Sequence, residues 1–168
     1  GVLIASGNDA AEALAKKVGG SIESFVDLMN KKAEELGLEN THFSNPTGLD
    51  QENHFSNVKD LAVLANYAFK NPIFREIVGI KEYDVQALNS SRIHHLKNTN
   101  KLLLNDYLNI LGGKTGFTDE AGFCLTTFAE NENGNQIVVI VLGDEKDGNQ
   151  FQDTKALVDW TFGNYGWE

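Results

Sequence analysis

Apolar residues recur along this chain in two rhythms, and the change comes near its midpoint. Up to Gly79 they return every three or four positions, the spacing that lines one face of a helix. Beyond Gly79 they alternate with polar residues, the spacing of a strand with one buried face. The first part, from about residue 8 to 79, therefore predicts a helical lobe, and about 80 to 168 predicts a sheet with a closing helix.

An apolar stub, Val2 to Ala5, passes through Ser6-Gly7-Asn8-Asp9 into an alanine-rich run ending at Gly19-Gly20. Asn8 or Asp9 is expected to cap that helix, and Gly19 to stop it in the left-handed conformation. Ser21 caps a second helix whose residues Ile22, Phe25, Val26, Met29, Ala33 and Leu36 form one apolar face, with Gly37 as its stop. Met29 is expected in that packing face and not as a ligand. Thr41 to Ser56, with Asn45-Pro46, Gly48 and the polar string Asp50 to His54, has the composition of a loop. Ser56 is expected to cap a third helix carrying Leu61, Leu64, Ala65, Ala68 and Phe69, and Asn71-Pro72 closes it and opens a short fourth.

In the second half, strands are predicted near Ile80 to Ala87 and Arg92 to Lys97, followed by an asparagine-flanked segment, Asn98 to Leu103. Gly112 to Phe117, Gly122 to Glu130 and Gln136 to Gly143 predict three more strands. The last two are joined through Asn133-Gly134 and should be antiparallel neighbours. The amphipathic run Phe151 to Phe162, with Trp167 beyond it, predicts a helix packed across that sheet. There is no internal repeat.

Composition narrows the function. With 168 residues, 41% of them hydrophobic, and 16 Gly against 2 Pro, the chain is one folded domain or most of one. The net charge of -10, from 24 acidic and 14 basic residues with no basic cluster interleaved with aromatics, argues against a nucleic-acid partner. The single Cys124 excludes an intrachain disulfide and, within the alternating run Gly122 to Phe128, is expected to be a buried small hydrophobe. There is no 18-residue apolar run, and Gly1 to Ala5 is too short for the apolar region of a signal peptide, so these residues carry no targeting information. His94-His95 would point to opposite faces of a strand, with no third ligand at a plausible spacing, so neither a metal nor a cofactor is expected.

Two short strings carry candidate chemistry: Ser6-Gly7-Asn8 at the head of a helix and Lys114-Thr115-Gly116 inside a strand. Each alone has an ordinary explanation, a helix entry and an edge strand with an exposed charge. Together, in this order and context, they match the S-x-N and K-T-G motifs of penicillin-recognising serine acyl-transferases, whose first motif is S-x-x-K. Longer strings extend the match: Ala5 to Ala11, Leu36-Gly37-Leu38 through Thr41-His42-Phe43, Asn45-Pro46-x-Gly48-Leu49-Asp50, and Gly113 to Thr118 followed by Ala121-Gly122. All are similar, in the same order, to stretches of the D-alanyl-D-alanine carboxypeptidase family, and they cover nearly the whole chain.

The resemblance implies an α/β fold of the penicillin-binding, β-lactamase-like transpeptidase type, an antiparallel sheet flanked by helices with the active site beside a helical lobe. It implies serine-dependent removal of the terminal D-Ala from peptidoglycan stem peptides through an acyl-enzyme, outside the cytoplasmic membrane, with β-lactams as inhibitors. In the family's roles, Ser6 relays a proton toward the leaving amine, and Asn8 orients a lysine and holds substrate peptide groups. Lys114 supplies a fixed positive charge beside Ser6, Thr115 binds the terminal carboxylate, and Gly116 leaves room for a substrate lying along the strand. The Phe117 backbone N–H is one oxyanion donor, a kind of group whose loss typically costs about 100- to 1,000-fold in rate. Asn98 to Leu103 resembles the family's N-x-N-x-L-L segment and is expected to give structural support.

The resemblance also has gaps. The family's S-x-x-K motif lies some tens of residues before S-x-N, whereas Ser6 has five residues before it, so the nucleophilic segment and the N-terminal strands are expected to be absent from this chain. Ser56-Asn57-Val58-Lys59 has the S-x-x-K spacing but follows S-x-N, so Ser56 is expected to be a cap and Lys59 a solvated side chain. Where some members keep a basic residue near the substrate carboxylate, this chain reads Gly143-Asp144-Glu145-Lys146-Asp147. Two rival functions use the same residues. A non-catalytic module would bind wall peptide or a partner; separately, the chain as it stands is expected to be less stable than its length suggests or to associate with another copy through bared apolar surface. A β-lactamase would need a deacylating base, for which Asp50 and Glu52 are available, but the Asn45 to Asp50 pattern favours the carboxypeptidase.

Overall fold

The structure is a computed structural model that describes residues 1–104 and 108–167. Its first half is helical: α1 (Val2–Ala5), α2 (Asn8–Gly19), α3 (Ile22–Glu35), α4 (Val58–Phe69) and α5 (Pro72–Val78). The rest comprises β1 (Glu82–Gln86), β2 (Ile93–Lys97), a 3₁₀ turn (Lys101–Leu104), β3 (Ile110–Thr118), β4 (Gly122–Glu130), β5 (Gln136–Asp144) and α6 (Asn149–Asn164).

The strands β3, β4 and β5 form an antiparallel sheet in that order, so β3 is an edge with one side open. Alternation along the strands sends side chains to both faces, and both are covered. On one face Ala129, Val139 and Val141 pack with Val158 of α6. On the other, Phe128 meets Ala65 and Phe69 of α4 and Val78 of α5, with Val138 and Ile140 beside it. The Phe128 ring stacks on Phe69 at a centroid distance of 3.9 Å and meets Phe74 edge-on at 6.4 Å, contacts that lock the helical lobe to the sheet. The layering is helix, sheet, helix. No helix among the described residues is long and apolar enough to cross a membrane.

Several local expectations need correction. Asn8 and Asp9 lie inside α2, whose N-cap is Gly7. The residue after α2 with positive φ is Gly20 at 83°, whereas Gly19 is still helical. Gly19 is needed for a different reason: a Cβ there would lie 2.7 Å from the Phe25 backbone nitrogen, where α3 passes. The cap of α4 is Asn57, whose Oδ1 accepts from the Asp60 N–H at 2.8 Å. Ser56 is drawn away because the His42–Phe55 bridge zips the loop ends together, and its hydroxyl meets that of Thr41 at 2.8 Å. Cys124 is half-buried, not buried, because its partner across the ladder is Gly116, which has no side chain to cover it. Strand β3 starts two residues before Gly112, and α6 two residues before Phe151.

The first two strands after Gly79 do not join the main sheet. Among the described residues β1 and β2 pair only with each other, as an exposed hairpin that holds the Glu82–Lys97 pair at 3.6 Å and the Asp84–His95 pair at 2.6 Å. Other expectations match the structure. The Ser21 hydroxyl accepts from the Ser24 N–H, Pro72 opens α5 behind its Asn71 cap, Gly37 has φ 70°, and Gly134, at 80°, turns the β4–β5 hairpin.

Candidate active site

The cleft is built around the open edge of β3. Its volume is about 620 Å³, and its walls include Ser6 and Asn8, the Lys114 to Phe117 stretch, and Pro46 to Leu49 of the long loop.

Ser6 reaches the cleft through a strained turn. It joins α1 to α2 with φ 56° and ψ 37°, a left-handed conformation that costs a non-glycine residue about 1 kcal/mol or more. The Gly7 N–H reaches back across that turn to the Gly1 carbonyl at 3.3 Å. Asn8 follows as the first helical residue, exposed beside Ser6.

From β3, 108 positions later in the sequence, the Lys114 ammonium donates to the Ser6 hydroxyl at 2.6 Å and to its neighbour's carbonyl, that of Thr115, also at 2.6 Å. Burial holds the Lys114 pKa below that of a free lysine, since the cavity wall solvates an ammonium less well than water does. At Gly116 an added Cβ would meet only the Cys124 Cβ, at an ordinary 3.7 Å, so protein packing does not demand glycine there. The free space lies on the cleft side. The Phe117 ring is exposed and stacks on Phe123 at 4.3 Å, flooring the cleft with an aromatic pair.

Two of the parts of the wall that sequence reasoning missed are shaped by asparagines. The first is Thr99, whose hydroxyl lies 2.6 Å from that of Thr115. Its neighbours do supply structural support. Asn98 donates to the Ile80 carbonyl at 2.9 Å and accepts from the Asn100 N–H, and buried Asn100 accepts from the Leu102 N–H at 3.0 Å. With both asparagines turned inward, the side chain between them faces out, and the N-x-N spacing held that signal. The second is Pro46 to Leu49. Asn45 Oδ1 accepts from the Thr47 and Gly48 N–H groups and the Thr47 hydroxyl, and Asn45 Nδ2 donates to the Leu49 carbonyl. One asparagine thus shapes the whole turn, which turn composition alone does not reveal.

The Ser56-x-x-Lys59 pair lies outside this cleft, with Ser56 bound to Thr41 and Lys59 exposed. His94 and His95 sit in the exposed hairpin, where His95 Nδ1 meets Asp84.

Known proteins are similar to this chain in sequence and in fold. Residues 1–146 match the model of the D-alanyl-D-alanine carboxypeptidase family. The D-alanyl-D-alanine carboxypeptidase DacF of Bacillus subtilis is 42% identical over 165 residues, which are 98% of this chain and 42% of that protein. DacA of Haemophilus influenzae is 34% identical over 98% of this chain and 41% of its own length. Among solved structures, penicillin binding protein 5 from Haemophilus influenzae superposes with a TM-score of 0.88 at 33% identity, covering 97% of this chain and 46% of that one. The Streptomyces K15 DD-transpeptidase gives 0.90 at 34% identity, covering 97% and 65%. The chain thus spans less than half the length of the two curated relatives, and its fold is part of the penicillin-binding, DD-peptidase type. On these matches, the chain belongs to the D-alanyl-D-alanine carboxypeptidase family.

Proposed function

We propose that the protein carrying this chain is a serine-type carboxypeptidase that removes the terminal D-Ala from peptidoglycan stem peptides through an acyl-enzyme, and that it works outside the cytoplasmic membrane. The observation that carries the reading is the 2.6 Å contact between the Lys114 ammonium and the Ser6 hydroxyl, two motifs 108 positions apart meeting in one cleft. Ser6 passes a proton toward the departing D-Ala amine, and Lys114 holds that hydroxyl in place and stabilises the negative charge that builds up nearby. Asn8 holds substrate peptide groups, and Thr115 binds the terminal carboxylate. The peptide lies along the open β3 edge past Gly116, with the Phe117 N–H as an oxyanion donor. The acylated serine belongs to the family's S-x-x-K motif. β-Lactams occupy the same cleft as inhibitors.

The test is incubation of the full-length protein with a peptide ending in D-Ala-D-Ala and, separately, with a fluorescent penicillin. Stoichiometric release of D-Ala, together with covalent labelling, is expected. Labelling without release would leave a penicillin-binding module, and neither would overturn the reading. We also propose that the 168-residue chain by itself associates with a second copy through the apolar groove where Leu3, Leu14, Phe25 and Ile77 meet.

A further inference from the structure

Among the described residues two cationic side chains line the cleft, and they differ in what they hold. Lys114 is committed to the Ser6 hydroxyl and the Thr115 carbonyl. Lys101 instead holds a carboxylate: its ammonium is 3.4 Å from Asp147 Oδ2, and it lies 5.4 Å from the centre of the Phe151 ring. The Lys101 and Asp147 side chains are 67% and 58% exposed, and an ion pair this open to water is weakly held and exchanges readily with another carboxylate.

Two residues before Lys101 comes Thr99, in contact with Thr115 at 2.6 Å. Two hydroxyls carry two protons, and their mutual bond uses one, so the pair offers a single O–H to anything entering the cleft. A carboxylate has room for about four donors, so hydroxyls alone leave it undersatisfied, and a nearby ammonium completes the set.

We infer that Thr99 and Lys101 determine specificity for a free C-terminal carboxylate, Thr99 by fixing the Thr115 hydroxyl and Lys101 by leaving Asp147 for the peptide's terminus. This rests on the proposed reading that a peptide C-terminus lies along β3. Lys101 thereby brings a cation from another element to the acidic stretch that ends at Asp147.

The experiment compares the full-length protein with its Lys101→Met, Lys101→Arg, Thr99→Val and Thr99→Ser variants. Binding of a diacetyl-lysyl-D-Ala-D-Ala peptide and of the same peptide with a C-terminal amide is measured by NMR titration, and D-Ala release is followed on the same samples. Wild type should prefer the acid by about tenfold or more, as for a hydrogen bond to a charged group. Lys101→Met and Thr99→Val should bring that ratio toward one, while Lys101→Arg and Thr99→Ser restore most of it. Equal weakening toward both peptides, an unchanged ratio, or a wild type that does not bind the acid would overturn the inference. Acid-selective binding lost in Lys101→Met, but with no D-Ala released by wild type, would uphold the inference and overturn the carboxypeptidase reading.

Discussion

Lys114 and Ser6 form one hydrogen bond from two costly conditions, a half-buried ammonium and a left-handed serine. A lysine whose pKa is lowered on folding releases its proton more readily in the folded state than in the unfolded one, so its charge detracts from stability at neutral pH. That cost shrinks as pH rises through the folded-state pKa toward the ordinary 10.5. Lys114→Met should therefore leave stability within about 1 kcal/mol of wild type, or raise it, while penicillin acylation of the full-length protein falls by at least about 100-fold. Denaturant melts and acylation kinetics on the same preparations check this, and parallel losses would mark a structural lysine. Ser6→Gly should separate the same two quantities more sharply. Glycine accepts φ 56° without strain and should stabilise the protein by roughly 0.5–1 kcal/mol, yet without the hydroxyl D-Ala release should nearly vanish. A thermal midpoint that drops would show that the hydroxyl bond outweighs the backbone strain.

At the scale of elements, the loop between α3 and α4 supplies the cleft wall through Pro46 to Leu49 and is pinned by polar side chains in place of an apolar core. Asn30 makes two bonds of 2.8 Å with the Phe43 backbone, and buried Asp60 accepts from the Asn40 N–H and the Thr41 hydroxyl. His54 Nδ1 accepts from the Ser44 N–H at 2.9 Å, which requires a neutral ring with its proton on Nε2. Burial first, and then the neighbouring His42, lower the His54 pKa below the ordinary 6.5. The unfolded state thus takes up this proton at a higher pH than the folded state, so the loop loses stability as pH falls from 6.5 toward the folded-state value. Hydrogen exchange of the Ser44 amide should quicken across that window after correction for intrinsic rates, and a His54→Asn variant should flatten the trend. A Ser44 amide that exchanges independently of pH would show that the histidine does not hold the loop.

For the whole molecule, the sheet is covered on both faces, but its β3 edge is open and an apolar groove beside α1 and α2 is uncovered. The 168-residue chain incubated with excess penicillin should show no mass gain of one drug molecule, because among the described residues no serine has the family's nucleophile and base arrangement in the cleft. An adduct mapped to Ser6 would make it the nucleophile, activated by Lys114, and reverse its assigned role. In sedimentation, the same chain should associate at micromolar concentration, and Leu14→Lys should return it to monomer. A monomeric wild type would show that the groove is tolerated in water.

How much of this was legible in the sequence depends on the range of the interaction responsible. Caps, stops and periodicity are set within a few residues, so α2 to α6, the three main strands and the β4–β5 turn could be read directly, with errors of a residue or two where neighbouring groups compete for one role, whereas α1 was read only as an apolar stub. The choice of Asn57 over Ser56 goes with the Ser56 contact to Thr41, which no local pattern contains. The site motifs were legible because their chemistry fixes residue type and order, but the meeting of Ser6 with Lys114 across 108 positions is a product of packing. Thr99 and Lys101 mark the limit. Each is an unremarkable polar residue in the chain, and only the inward turn of Asn98 and Asn100 brings Thr99 to Thr115 and sets Lys101 facing Asp147. Local physics determined the elements and the available chemistry, and the tertiary structure decided which side chains share a cleft, because that depends on distances between residues far apart in the chain.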